Sequence, residues 1–308
     1  MTTLYYHHPD FLNHLPGAGH PESHLRLQAI HRVLCGKDFA KLIKIQATIP
    51  DDINEKIALI HDPDYRQQIL SAIPEQGLNA IDADTLLSPG SGIAALTAVA
   101  SACDAVDNIL SGRATSAFCA IRPPGHHATP DQAMGFCLFN NIAIAAEYAR
   151  SHDSINRVAI VDFDVHHGNG TQVAFNQQGE VLYASSHEMP NFPGTGYAHE
   201  VGIGNIINVP LAPGSSGLEF REKYQNIIFP ALHQFQPELL FISAGFDAHK
   251  DDPLASIQLV EDDFRWVTLE LKKIADCYCQ GRIISCLEGG YDLEALASSV
   301  AAHVQMLM

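Results

Sequence analysis

The apolar residues of this chain follow two patterns in turn. Six short runs are almost continuously apolar: SAFCAI (116–121), RVAIVDFD (157–164), EVLYAS (180–185), NIINVPL (205–211), PELLFISAG (237–245) and RIISCLE (282–288). Strands buried on both faces read this way, without the in-out alternation of a half-solvated strand. Between the runs the period changes. Residues 90–112 place Ile93, Leu96, Val99, Cys103, Val106 and Ile109 three or four apart, and residues 218–235 do the same with Tyr224, Ile227, Ile228, Ala231, Leu232 and Phe235. Both segments predict amphipathic helices laid on a sheet. Strands alternating with helices predict an α/β fold with a parallel sheet. No low-complexity linker, repeat or composition break divides the chain, so a single domain over 1–308 is expected.

Composition narrows the function. The chain has 308 residues, with 18 Lys+Arg against 35 Asp+Glu and a formal charge of −17. That balance argues against direct nucleic-acid binding, which needs a clustered excess of cations to displace counterions. With 46% hydrophobic and 17% charged residues the chain is too apolar to be disordered. It has no charge-free apolar stretch of membrane-spanning length, and MTTLYYHHPDFLNH lacks the basic-then-apolar layout of a secretory signal. A soluble cytoplasmic protein without a membrane partner is expected. The seven cysteines are scattered and form no CxxC pair, which favours reduced thiols over disulfides or a zinc finger.

Histidine is the outlier, with 17 residues, and most of the clustered ones lie beside glycine, proline or aspartate. Five expected strands run directly into polar loops: RPPGHHATP, DVHHGNG, SSHEMPNFPGTG, FDAHKDDP and EGGYD. In open parallel sheets the ligand crevice lies at the carboxyl ends of the strands, so these loops should meet on one edge. If the strand continues through Asp162-Phe163-Asp164-Val165-His166, residues 162, 164 and 166 share a side. Burying that set is costly without a cation. With Asp247 from another loop, Asp164 and His166 make three N/O ligands with an open position, the arrangement of a catalytic metal site. Asp247-Ala248-His249-Lys250-Asp251 also reads D-x-H-x-D, a spacing of dinuclear manganese hydrolases, but the preceding motif has the wrong order for a matching half. His249 is therefore expected as a loop or rim residue.

His126 and His127 sit in a turn after RPPG, where both can reach one water as proton acceptor and donor. Asp162 and Asn169 are the candidate partners that would set their tautomers. Tyr291, after Gly289-Gly290, can donate its phenol to a developing oxyanion. Phe136 and Phe192 can line a slot for an extended methylene chain.

RPPGHHA (122–128), GFCLFNN (135–141), VDFDVHHGNGTQ (161–172), FPGTG (192–196), SAGFDAHKDDPL (243–254) and LEGGYDL (287–293), in this order, resemble the histone deacetylase and acetylpolyamine amidohydrolase family. The resemblance is strongest to class II deacetylases and bacterial histone deacetylase-like amidohydrolases, and runs from HPES (20–23) to the last helix. It implies the arginase/deacetylase fold, a three-layer α/β domain with an eight-stranded, mostly parallel sheet between helices. It also implies Zn²⁺, with Fe²⁺ possible, on Asp164, His166 and Asp247. His127 would be the base of the His126–His127 pair and Tyr291 the carbonyl-polarising residue. An acyl-lysine tunnel of Gly135, Phe136, Phe192 and Leu254 follows from the same resemblance. So does a structural K⁺ site at Asp162, Asp164, His166, Ser185 and Ser186, with Arg26 resembling a basic residue near an acetate exit path.

Four departures qualify the resemblance, one of them His24 in HPESHLRL, where a proline is common. Asn169 stands where class I enzymes carry aspartate, Leu254 where a polyamine-selective relative carries glutamate, and His249 and Asp251 make the rim more polar than is usual. The expected activity is removal of acetyl groups from ε-acetyl-lysine in peptides or proteins, or from related acylated alkyl amines. Acetylpolyamines or other small amides are the alternative substrates. A non-catalytic acyl-lysine binding module is the reading from a different class.

Overall fold

The computed structural model describes residues 2–308. Its strands are β1 (Thr3–Tyr6), β2 (Ile43–Ile45), β3 (Asn79–Ala80), β4 (Leu86–Leu87), β5 (Ser116–Cys119), β6 (Val158–Asp162), β7 (Val181–Glu188), β8 (Ile206–Leu211), β9 (Leu239–Ala244) and β10 (Ile283–Leu287). Eight of them form one sheet in the order β2-β1-β5-β10-β9-β6-β7-β8, and β3 and β4 make a separate two-stranded hairpin. Every pairing in the large sheet is parallel. The fold is thus the expected α/β domain with an eight-stranded sheet between helices. The central strands β5, β6, β9 and β10 are buried at every position, which explains their continuous apolar runs.

Helices cover both faces of the sheet. Ser91–Leu110 packs on Asn141–Arg150, and Leu25–Leu34, Glu261–Tyr278 and Leu293–Leu307 pack together as a second group. Ser91–Leu110 is long and apolar enough to cross a membrane by composition, but 72% of that window is buried inside this domain. Its first apolar position, Ile93, is exposed, so the apolar stripe begins a turn later than the sequence period implies. The segment expected as one helix over 218–235 is helical throughout, with a π-helical stretch at Tyr224–Ile228 between the α-helical Gly217–Lys223 and Phe229–Phe235. Pro230 lacks an amide hydrogen and its ring crowds the preceding turn, which accounts for the local widening and leaves Ile227 exposed. Strands β1 and β2 have four and three residues, too few to show a period.

The register levels the strand ends. Asp162 of β6 lies opposite Ser185 of β7 and Ser243 of β9, and Cys119 of β5 lies opposite Cys286 of β10. Four of the polar loops therefore leave adjacent strands β5, β10, β9 and β6 at nearly one height, while β7 runs on to Glu188, so SSHE of the expected SSHEMPNFPGTG loop is strand. Strand β6 stops at Asp162, two residues short of the expected span to residue 164, so Asp164 and His166 are not alternate residues of a strand. The aspartates themselves end it. The Asp162 carboxylate accepts the N–H of Asp164 at 3.1 Å and the Asp164 carboxylate accepts the N–H of His166 at 2.9 Å, local bonds that compete with a sheet ladder.

Candidate active site

Asp164 and Asp247 are fully buried, and with His166 their ligand atoms lie within 4.8 Å of one another. His166 Nδ1 is 3.1 Å from Asp164 Oδ1 and 3.2 Å from Asp247 Oδ2. Backbone donors hold the outer oxygens: Gly289 N–H reaches Asp164 Oδ2 at 2.8 Å and Val165 N–H reaches Asp247 Oδ1 at 2.9 Å. The inner oxygens are thereby turned toward His166. Two glycines make room for this convergence, since a Cβ on Gly245 would overlap the Asp164 carboxylate and one on Gly289 would overlap that of Asp247. Burial, with Asp164 alongside, pushes the Asp247 carboxyl above the usual carboxylate range. Two carboxylates and one imidazole brought together in a dry pocket fit a divalent metal.

The two loop histidines have different partners. His126 Nδ1 lies 3.0 Å from Asp162, whose carboxylate also accepts the Tyr183 hydroxyl at 2.9 Å. His127 Nδ1 lies 2.9 Å from the amide oxygen of Asn169. The rings sit 4.0 Å apart. Burial opposes charge on His126, but Asp164, Asp162 and Glu288 outweigh it and push the ring up to about 10. Burial and the neighbouring His126 and His166 hold His127 well below the ordinary histidine value, so it is neutral at pH 7. The neighbouring carboxylates favour the protonated form of one imidazole, and burial favours the neutral form of the other.

Above the cluster lies a pocket of about 220 Å³ lined by Asp84, His127, Gly135, Phe136, His166, Asn191, Phe192, Leu254 and Tyr291. Phe192 packs edge-on against His127 at 5.0 Å and Phe136 edge-on against Tyr291 at 5.9 Å. Phe136 adopts φ 68°, a left-handed conformation rare outside glycine, and its amide is held by the Thr85 hydroxyl at 3.1 Å. That strained corner places its ring in the lining of the pocket, against Tyr291. The five loops converge as expected, bringing together His127, His166, Phe192, Leu254 and Tyr291.

The description "Histone deacetylase domain" matches residues 20–307. The chain belongs to the histone deacetylase family. It is 37% identical over 280 residues to the histone deacetylase-like amidohydrolase of Pseudomonas aeruginosa, covering 89% of this chain and 73% of the relative. An uncharacterized protein of Synechocystis is 40% identical over 302 residues, covering 97% of each. Rice histone deacetylase 10, chloroplastic, is 37% identical over 307 residues, covering 92% of this chain and 68% of its own length. The solved structure of the HDA15 HD domain superposes with a TM-score of 0.93 at 32% identity, covering 99% of this chain and 88% of that one. The chain is thus a hydrolytic deacetylase of class II-like character, with the arginase/deacetylase fold.

Within this deacetylase site, one expectation is corrected. His249 lies in a loop as expected but not at the rim: it is 3% exposed, with Nε2 3.7 Å from Glu261 and Nδ1 3.7 Å from Asp251. The bend at Asp247 to His249 turns the ring under the loop, against the start of helix Glu261–Tyr278, and among the described residues no second metal cluster forms around D-x-H-x-D. Ser185 and Ser186 lie beside Asp162, with hydroxyls 2.8 Å from His187 Nδ1 and 3.1 Å from the Tyr224 hydroxyl. Arg26 is fully buried behind Tyr291, its guanidinium 5.1 Å from the ring centre, and donates to the carbonyls of Gly290 and Glu288. An ion pair to Glu22 holds it there, and Glu22 also binds Arg122 of RPPG.

Two site residues had no assigned role in the sequence reading. Glu288 accepts the N–H of Gly125 at 2.7 Å and of His126 at 3.2 Å, and the Ser243 hydroxyl at 2.9 Å, so one carboxylate ties the histidine loop to two strands. Asp84 reaches the pocket from a loop held by Asp82, which accepts its N–H at 3.0 Å. Glu288 stands within a quoted motif, but Asp84 lies in a segment with neither period nor motif.

Proposed function

We propose that the protein is a zinc-dependent deacetylase of N-ε-acetyl-lysine and related acylated alkyl amines. One observation carries this reading: His127, His166 and Tyr291 face the same narrow pocket whose walls are Phe136 and Phe192. Such a slot suits an uncharged methylene chain with a polar amide at its tip.

Asp164, His166 and Asp247 would hold the metal, and zinc bound there supplies Lewis-acid activation of water and of the acetyl carbonyl. Iron(II) accepts the same ligands. His127, neutral and lining the pocket, takes the proton of the attacking water, and the Asn169 amide keeps its Nδ1 oriented. Tyr291 donates its hydroxyl to the oxyanion of the tetrahedral state; burial first of all, with Asp247 and Asp164, holds that phenol protonated. A histidine of the pair then returns a proton to the departing amine, and the aromatic walls exclude bulk water. Asp162, Asp164, His166, Ser185 and Ser186 form the K⁺ site in this reading, supported by the pairing of Asp162 with Ser185 between β6 and β7. A cytoplasmic location belongs to the same reading, supported by seven free cysteines.

Acetylpolyamines are the second substrate reading. Asp84 at the pocket favours a substrate with a cationic distal group, while the formal charge of −17 does not separate the two readings. Acetate release by the zinc-loaded protein from acetyl-lysine peptides, compared with acetylputrescine, acetylcadaverine and acetylspermidine, decides between them. Release from none of these, with metal bound, would overturn the proposal.

A further inference from the structure

Asp252 does not line the acyl pocket, yet it holds the backbone of two residues that do, Leu254 and Tyr291. Its side chain is almost entirely buried, 7% exposed for the residue. Oδ2 accepts the N–H of Tyr291 at 2.6 Å and of Asp292 at 3.4 Å, and Oδ1 accepts the N–H of Leu254 at 3.0 Å. The same segment is gripped through its carbonyls by Arg26, which donates to Glu288 O at 2.5 Å and Gly290 O at 2.6 Å. A buried anion on the amides and a buried cation on the carbonyls thus hold residues 288–292. Between the two grips lies Gly290 at φ 119°, a conformation that resists nothing by itself. Without external anchors the backbone under Tyr291 would have several conformations to choose from.

We infer that Asp252 is a positioning residue that fixes the Tyr291 phenol over the reacting carbonyl and couples it to the Leu254 wall of the pocket. The inference rests on the role of Tyr291 proposed above. A carboxylate is the group suited to this place because three N–H donors converge on it and it offers acceptors only. An amide in the same shape must turn its NH₂ toward either Leu254 N–H or Tyr291 N–H, so one anchor is lost whichever way it faces. Displacing a catalytic donor by about 1 Å can cost on the order of 10²-fold in rate, so a residue that never meets substrate can still govern turnover.

Asp252→Asn is the direct test, measured alone and together with Tyr291→Phe. The expected result is a fall in kcat of about 10- to 100-fold with KM within about 3-fold, shrinking to about 2-fold or less when Tyr291 is already phenylalanine. Amide hydrogen exchange at Tyr291 and Asp292 should speed up by about 10-fold or more, while that of Ile160 in the core stays unchanged. An equal loss of kcat in both backgrounds would mean general damage and would overturn the inference, as would a kcat within about 2-fold of wild type. If the wild-type protein hydrolyses none of the acyl amides, the proposed function fails, and the exchange measurement alone then decides the clamp: unchanged protection at Tyr291 and Asp292 refutes it. Asp252→Ser, smaller and still an acceptor, replaces the asparagine variant should that one not fold.

Discussion

His127 Nδ1 is paired with the neutral amide of Asn169 at 2.9 Å, while its neighbour His126 is paired with the carboxylate of Asp162 at 3.0 Å. Adjacent residues of one turn are thereby given opposite electrostatic tasks. A base needs to be unprotonated at working pH, and an amide partner orients the ring without attracting a proton to it.

Asn169→Asp should therefore move the acid limb of the kcat/KM profile. Burial lowers His127, and a carboxylate 2.9 Å away would oppose that shift. The added charge raises the pKa of the ring, so more of it is protonated at a given low pH and the limb moves upward, by about one unit or more. The pH–rate profile with one acetyl-lysine peptide measures it. A limb that stays in place or moves to lower pH would contradict the base assignment.

Tyr291→Phe removes the hydroxyl and leaves the ring that packs against Phe136. Loss of one oxyanion donor costs on the order of 10²–10³ in kcat. Steady-state kinetics should show that loss with KM little changed. Turnover within a few-fold of wild type would remove Tyr291 from the mechanism.

Metal removal should abolish activity and lower the melting temperature, because a ligand that binds only the folded state stabilises it by mass action. Re-addition of Zn²⁺ should restore both. Asp247→Asn, which leaves one carboxylate on the cluster, should lower bound metal as measured by elemental analysis. An active protein carrying no divalent metal would refute the role given to Asp164, His166 and Asp247.

Leu254→Glu should shift preference toward acetylpolyamines. Leu254 and Asp84 line the same pocket, so a second acid there would add to the attraction of a distal ammonium. A rise on the order of 10-fold in kcat/KM for acetylspermidine relative to an acetyl-lysine peptide is expected, about 1.4 kcal/mol of discrimination. The ratio of the two specificity constants reads it directly, and no change would place the cation site elsewhere.

Stability should fall as the pH drops from 7 toward 4. Burial lowers His303 to about 3 and His61 to about 4, so the folded protein keeps them neutral while the unfolded chain takes up protons below its ordinary histidine value of about 6.5. The unfolded state then binds more protons, and stability is lost as pH falls through that window, by up to on the order of 1.4 kcal/mol per unit for each ring. Melting temperatures at pH 7.5 and 5 measure it. His303→Asn, which removes the ring between Thr268 and Ser285, should flatten the dependence, and a flat wild-type curve would contradict it.

Six of the eight strands of the large sheet (all but β1 and β2), two of the helices, the loops that meet at the pocket, and residue types suited to binding metal and moving protons were legible along the chain. They are local properties: apolar runs mark strands buried on both faces, and Asp, His and Tyr beside glycine cannot be explained as core. What tertiary structure decided is which of those groups meet. The sheet order sets β5, β10, β9 and β6 side by side, so residues as distant as His126 and Glu288 share a hydrogen bond. His249, two residues past Asp247, is turned away from the pocket, because a loop's direction depends on the helix it packs against and not on its own spacing. The anchors behind the site, Glu22 to Arg26 and Arg122, Glu288 to the histidine loop, and Asp252 to Tyr291, join segments far apart in the chain. A buried charge is tolerable only where its partner arrives from elsewhere, and no sequence pattern announces that arrival.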